Sequence, residues 1–222
     1  MKTFQWLQRL LTIAVLLTAQ SVLAGTGDVS IKVDGETRVV STAHYEATVA
    51  DDGCLTNLQI GGQEFLMPGA GISRGAYFYQ KGVVKATEIT QPTANAIVAK
   101  SDRADVRYEF ASDTMTCTVH NATDDAMHFY MVFDPAVTAV QGEDGWATPP
   151  VNKPWTKTVW FREKARLEIS GSSRVWGPWT GPHQVWDAVL KPDETRKIEF
   201  RLGIATADEA AKAAEIGASA AP

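Results

Sequence analysis

The chain has 222 residues, 45% of them hydrophobic and 21% charged, with a formal net charge of −5. That balance, with only two cysteines, excludes a disordered tail and a disulfide-dense mini-scaffold and fits a folded globular protein. With no long run of Lys and Arg, it also excludes nucleic acid as the main partner, because phosphate binding rests on concentrated positive charge.

Met1 to Ala24 has the form of an export signal. Lys2 and Arg9 make a basic front, Leu10 to Leu17 is a short apolar run, and Val22-Leu23-Ala24 suits a signal peptidase cutting before Gly25. The apolar run is about half of the roughly 20 residues that span a bilayer, so a membrane anchor is the weaker reading. No cysteine lies near the cut, which argues against a lipid anchor, and no later stretch is long and apolar enough to cross a membrane. The expected mature chain is exported, periplasmic or extracellular, with 222 − 24 = 198 residues. Its net charge is 19 − 26 = −7, since the signal carries two cations and no acid.

From residue 25 to 205 the dominant signal is period-two alternation, as a strand with one buried face requires. Ile31–Val33, Tyr45–Val49, Leu55–Ile60, Tyr77–Gln80, Val83–Ile89, Ala96–Ala99 and Val106–Phe110 are predicted strands. So are Phe129–Phe133, Val159–Arg162, Leu167–Ser170, Val185–Leu190 and Arg196–Leu202. Turn residues separate them: Asp34-Gly35, Asp51-Asp52-Gly53, Gly61-Gly62, Lys81-Gly82, Asn121 to Asp125, Gly171-Ser172 and Lys191-Pro192-Asp193. Gly142 to Pro154 is expected to be a long loop. Short strands at this spacing, without helices between them, predict an all-β protein: one large antiparallel β-sandwich domain over residues 25–205. Thr206-Ala207-Asp208-Glu209 is a capping box opening one short C-terminal α-helix, which Gly217 is expected to end ahead of a disordered tail to Pro222.

Cys54 and Cys117 are the only cysteines. Export makes a bridge between them reasonable, closing a loop of about 60 residues at roughly 4 kcal/mol. Two buried, unpaired thiols explain the sequence equally well, since Cys117 is in phase with Met115 and Val119. Nothing resembles a Cys/His metal site or a C-x-x-C pair, and no cofactor is expected. Asn121-Ala122-Thr123 fits a glycosylation acceptor, a pattern common by chance.

Tyr45 to Leu66, with its Asp52-Gly53 turn, Leu55-Thr56-Asn57-Leu58 strand and Gly62-Gln63-Glu64-Phe65-Leu66 ending, resembles the opening hairpin of the galactose mutarotase-like supersandwich. Cys117 to Ala126 followed by Phe129 to Pro135 is similar to that family's central hairpin. Leu190-Lys191-Pro192-Asp193-Glu194-Thr195-Arg196 looks like its approach to the final strand. The resemblance implies carbohydrate as ligand class. It does not carry catalysis over: those enzymes use a His in a His-Pro-aromatic motif, whereas here Asn121 follows His120, Phe129 follows His128 and Gln184 follows His183.

Six of the seven tryptophans lie between residues 146 and 186. Indole faces stack on the apolar C–H faces of sugar rings, whose hydroxyls need polar partners at the ring edge. Trp176 and Trp179, on what Gly177-Pro178 and Gly181-Pro182 mark as a loop, are candidate platforms, with Arg174, His183 and Asp187 as edge partners. Trp155 reads as either platform or core; Trp160 and Trp186, in alternating runs, read as core. The favoured reading is an exported, non-catalytic carbohydrate-binding sandwich. One rival is a sugar epimerase or polysaccharide lyase-like enzyme with His183 or His120 as general acid/base, which needs a partner within about 3 Å. The other is a structural or assembly protein of the cell envelope, expected to show a broad apolar face.

Overall fold

The structure is a computed structural model that describes residues 28–69, 71–179 and 183–219, Trp179 through its backbone only. The predicted export signal and the last three residues of the predicted tail lie outside the described residues.

Alternation translates into two stacked antiparallel sheets of nine strands each. The first runs β1 (Val29–Asp34), β2 (Thr37–Thr42), β3 (Tyr45–Ala50), β4 (Leu55–Ile60), β6 (Ala76–Tyr79), β11 (Met127–Val132), β17 (His183–Leu190) and β16 (Arg174–Trp179), with β5 (Gln63–Glu64) on β4. The second runs β13 (Gly145–Ala147), β12 (Ala139–Gly142), β14 (Lys157–Arg162), β15 (Ala165–Ser170), β18 (Thr195–Ile204), β10 (Thr114–Asn121), β9 (Ala104–Phe110), β8 (Ala96–Lys100) and β7 (Glu88–Thr93). The described residues form the all-β sandwich that the alternation predicts, with one helix among them, α1 (Ala207–Ala218).

The core lies between the sheets. Leu58, Phe129, Met131 and Trp186 of the first meet Tyr108, Trp160, Leu167 and Phe200 of the second, all fully buried. Each such side chain contributes about 1.5–3 kcal/mol by leaving water. The outer face of the second sheet packs Val159 and Phe161 under α1 and elsewhere pairs its charges: Arg107 with Glu109 at 3.0 Å, Lys157 with Glu168 at 2.8 Å, Lys197 with Glu199 at 2.7 Å. Away from α1, that is an ordinary charged surface.

Several connections change sheets, and there the local reading departs from the structure. Val83 to Ile89 is not one strand: Val83 bridges Tyr79, and the chain then crosses to the second sheet, reaching β7 at Glu88. The segment Cys117 to Pro135 is not a hairpin, because β10 and β11 belong to different sheets. Asn121 pins this crossing. Its buried amide donates to the carbonyls of Asp125 (2.8 Å) and Lys191 (2.9 Å) and its oxygen accepts from Thr123, so a glycan acceptor role is excluded by its occupied nitrogen. Gly142 to Pro154 begins with the β12–β13 hairpin, turned at Gly145 with φ 116°. The helix starts on the predicted Thr206 capping box, both bonds present, but runs past Gly217 to Ala218. Gly217 is a packing glycine: a Cβ there would lie 2.9 Å from the Thr138 hydroxyl.

Cys54 and Cys117 are both buried free thiols, so the bridged alternative is not the one found. Cys117 points into the inter-sheet core, whereas Cys54 packs with Tyr77, Val132 and Val185 in a separate cluster.

Candidate functional site

That separate cluster marks the other side of the first sheet. Along β11, Met127, Phe129 and Met131 enter the core, so His128, Tyr130 and Val132 face outward. The register then fixes their neighbours. Tyr77, Tyr130, Asp187 and Arg174 are partners across β6, β11, β17 and β16, one row about 14 Å wide. Tyr79, His128 and Val189 form the next row on one side, and Val132, Val185 and Trp176 the next on the other.

Asp187 is the centre. Its side chain is 8% exposed, with one oxygen 3.0 Å from His128 Nδ1 and the other accepting from Trp176 Nε1 at 3.3 Å. Burial pushes its carboxyl above the ordinary value, against the opposing pull of His128, Trp176 and Arg174. The His128 ring, 34% exposed, is held by that bond with Nε2 on its far side. Tyr130 stacks on it at 5.1 Å and meets Trp176 edge-on at 6.1 Å. Tyr77 and Tyr79 complete the group, 5.6 and 6.0 Å from Tyr130. The Tyr130 hydroxyl is pushed up to about 12, first by burial and then by the Asp187 charge, so it stays a neutral donor at neutral pH. Tyr77 is fully buried beneath the group; the half-buried rings of Tyr79, His128, Tyr130 and Trp176 around a fixed polar centre can stack a flat, partly apolar ligand and bond its polar rim.

No family model matches the sequence, and no curated protein is similar to it at sequence level. Solved structures are. A galactose mutarotase related enzyme from Lactobacillus acidophilus superposes with a TM-score of 0.52 at 10% identity, over 77% of this chain and 97% of that one. An active YidC insertase gives 0.54 at 11% identity, over 84% of this chain and 43% of the insertase. YidC from Thermotoga maritima gives 0.52 at 9%, over 84% and 54%. The fold is that of the galactose mutarotase-like structures. The chain spans about half the length of the two insertases.

Of the sequence-based candidates, the fold brings Arg174, Trp176 and Asp187 together. They sit on a hairpin rather than a loop: β16 is an edge strand, and an edge tolerates Gly177-Pro178 and the register shift between Trp176 and Trp179. The Trp179 side chain lies outside the described residues. Trp155 belongs to the core. It is buried, its Nε1 donates to Asp144 at 2.8 Å, and its indole lies flat against Gly142, so it is no platform. Trp160 and Trp186 are core as well, stacked on Phe133 at 4.1 Å and edge-on to Phe129 at 6.2 Å. Trp146 stacks on Phe161 at 4.8 Å near α1.

The two histidines proposed as acid/base do not sit at this centre. His183 is four residues before Asp187 on the same strand, and its buried Nδ1 has no partner among the described residues. His120 is on the second sheet, 3.2 Å from the Thr195 hydroxyl and 3.7 Å from Asp193, which is almost fully exposed. Sequence reasoning missed His128, Tyr130, Tyr77 and Tyr79. The available signal was the alternation itself: in Met127-His128-Phe129-Tyr130 and Tyr77-Phe78-Tyr79 the outward set is aromatic or imidazole rather than charged. Among the described residues, no group of three His, Cys, Asp or Glu side chains could hold a metal, and no helix is long and apolar enough to cross a membrane.

Proposed function

We propose that this is an exported carbohydrate-binding protein that holds sugar rings on the outer face of its first sheet without transforming them. Trp176, Tyr130 and Tyr79 stack the ring faces; His128, Arg174 and the rim of Asp187 meet the hydroxyls. The observation that carries this reading is the row of aromatic rings gathered about Asp187 on one sheet face, where the opposite sheet carries paired charges and an apolar patch covered by α1. The mutarotase-like fold supports the ligand class by analogy. A binding role is favoured over turnover because acid/base chemistry on a sugar needs two groups. The carboxylate on this face is mostly buried and already occupied by two donors.

Affinity electrophoresis through polysaccharide-loaded gels and calorimetric titration with oligosaccharides test the reading. The double variant Trp176→Ala/Tyr79→Ala, shown folded by circular dichroism, should lose retention. Retention equal to wild type would remove the site, and accelerated anomer interconversion in a polarimeter would overturn the non-catalytic part.

A second reading is favoured by one observation, the match of 84% of this chain to part of each insertase. In that case the protein serves envelope assembly and the same aromatic face takes an extended polypeptide. Binding of a permanently unfolded protein, lost in Trp176→Ala, with no polysaccharide retention, would decide for it.

A further inference from the structure

An open sheet ends in strands whose unpaired N–H and C=O groups invite another strand, and proteins ordinarily blunt them. Three of the four edges here are blunted. β16 carries Gly177-Pro178 and a register shift, β7 carries Pro92 and a shift between Thr90 and Thr93, and β13 is three residues long. β1 has none of these devices. It is six residues long, pairs β2 without a shift from Val29 to Asp34, and no described strand covers its other side.

The two-residue turn at Gly35-Glu36 makes Asp34 and Thr37 a hydrogen-bonded pair. Pairs two apart alternate, so Lys32 and Ser30 also bond β2, and the backbone groups of Val29, Ile31 and Val33 point away from the sheet. Val33 is 61% exposed. Lys32 and Asp28 are exposed and have no ion-pair partner among the described residues.

We propose that the β1 strands of two copies of this chain pair antiparallel about a twofold axis at Ser30, joining their first sheets into one. A twofold normal to the sheet keeps core-facing residues opposite core-facing residues, which leaves few registers. Centred on Lys32, the two lysines oppose each other. Centred on Ile31, Asp28 opposes Asp34. Centred on Val33, Ile31 falls against the turn at Gly35. Centred on Ser30, Val29 and Ile31 exchange backbone bonds, and each Lys32 lies opposite the partner's Asp28. Of these four registers, that one satisfies both the backbone and the charges, which is why the occupant is a second copy. The surface is at the far edge of the sheet from the aromatic face, so the dimer stands or falls independently of the proposed ligand.

Sedimentation velocity on the purified protein over a range of concentrations tests this. A monomer–dimer equilibrium is expected, and Lys32→Asp should raise its dissociation constant on the order of tenfold, since two like-charge pairs now oppose. Asp28→Lys combined with Lys32→Asp should restore wild-type association. Ile31→Pro, which removes an outward N–H, should leave a folded monomer; the charge exchange keeps the test valid if that variant fails to fold. A monomer at every concentration, or a dimer that does not respond to the charge exchange in this pattern, overturns the proposal.

Discussion

Asp187→Ala should separate binding from stability. The substitution removes two hydrogen bonds, from His128 Nδ1 and Trp176 Nε1. A neutral bond contributes about 1 kcal/mol net, and one to a charged group about 1.5–3. Against this stands the burial of the carboxylate, which outweighs its partners, because the folded carboxyl sits above its ordinary value rather than below. Both donors belong to half-buried side chains that water can reach once Asp187 is gone. The two sides nearly cancel, so urea unfolding at pH 7 should place the variant within about 1 kcal/mol of wild type. Ligand retention should nevertheless fall at least about tenfold, since Trp176 and His128 lose the group that orients them, an effect on the order of 1.4 kcal/mol.

The pH dependence has a definite sign. With its folded value raised, Asp187 keeps its proton to higher pH in the native state than in the unfolded chain. Its contribution to stability is therefore fully present below the unfolded value, about 3.9, and is lost as pH rises through the folded one. The variant lacks that loss while retaining His128, Arg174 and Tyr130. The stability difference should move in favour of wild type as pH is lowered from neutral toward 4. A loss above about 2 kcal/mol at pH 7, or a difference that grows toward alkaline pH, would refute the reasoning and make the His128–Asp187 pair a structural support.

Trp186→Ala, one residue away on the opposite sheet face, should cost about 3–5 kcal/mol in urea unfolding, because the indole is fully buried against Phe129. Gly142→Ala should cost about 1–3 kcal/mol and alter the near-UV circular dichroism of Trp155, since a Cβ there falls within the indole; wild-type stability would show that Trp155 is not wedged. Burial pushes both thiols up, so a disulfide-exchange reagent should label neither Cys54 nor Cys117 in the native protein and both after unfolding in denaturant without reductant. No labelling in denaturant would indicate a bridge.

Much of this fold is legible in the chain because alternation is a local property. Met115, Cys117 and Val119 on β10 and Ile198, Phe200 and Leu202 on β18 announce their inner faces with no knowledge of a partner. The helix cap is equally local, with Thr206 and Glu209 three residues apart. Where the reading failed, a distant contact intervened. Val83 to Ile89 alternates well enough for a strand, but the chain has to leave one sheet for the other there. Trp155 follows a proline and could have faced solvent, yet Gly142 leaves a flat gap that its indole fills.

By itself the sequence determined that this chain forms antiparallel strands with one apolar face, a capped C-terminal helix, and a tryptophan-rich segment late in the sequence. The tertiary structure alone decided which outward residues meet. Tyr77, Tyr130 and Asp187 come from segments more than fifty residues apart, and only the register of β6, β11 and β17 sets them in one row. The physical reason is that a side chain's inward or outward direction follows from its own strand, whereas its neighbour across the sheet depends on which strands pair and at what offset.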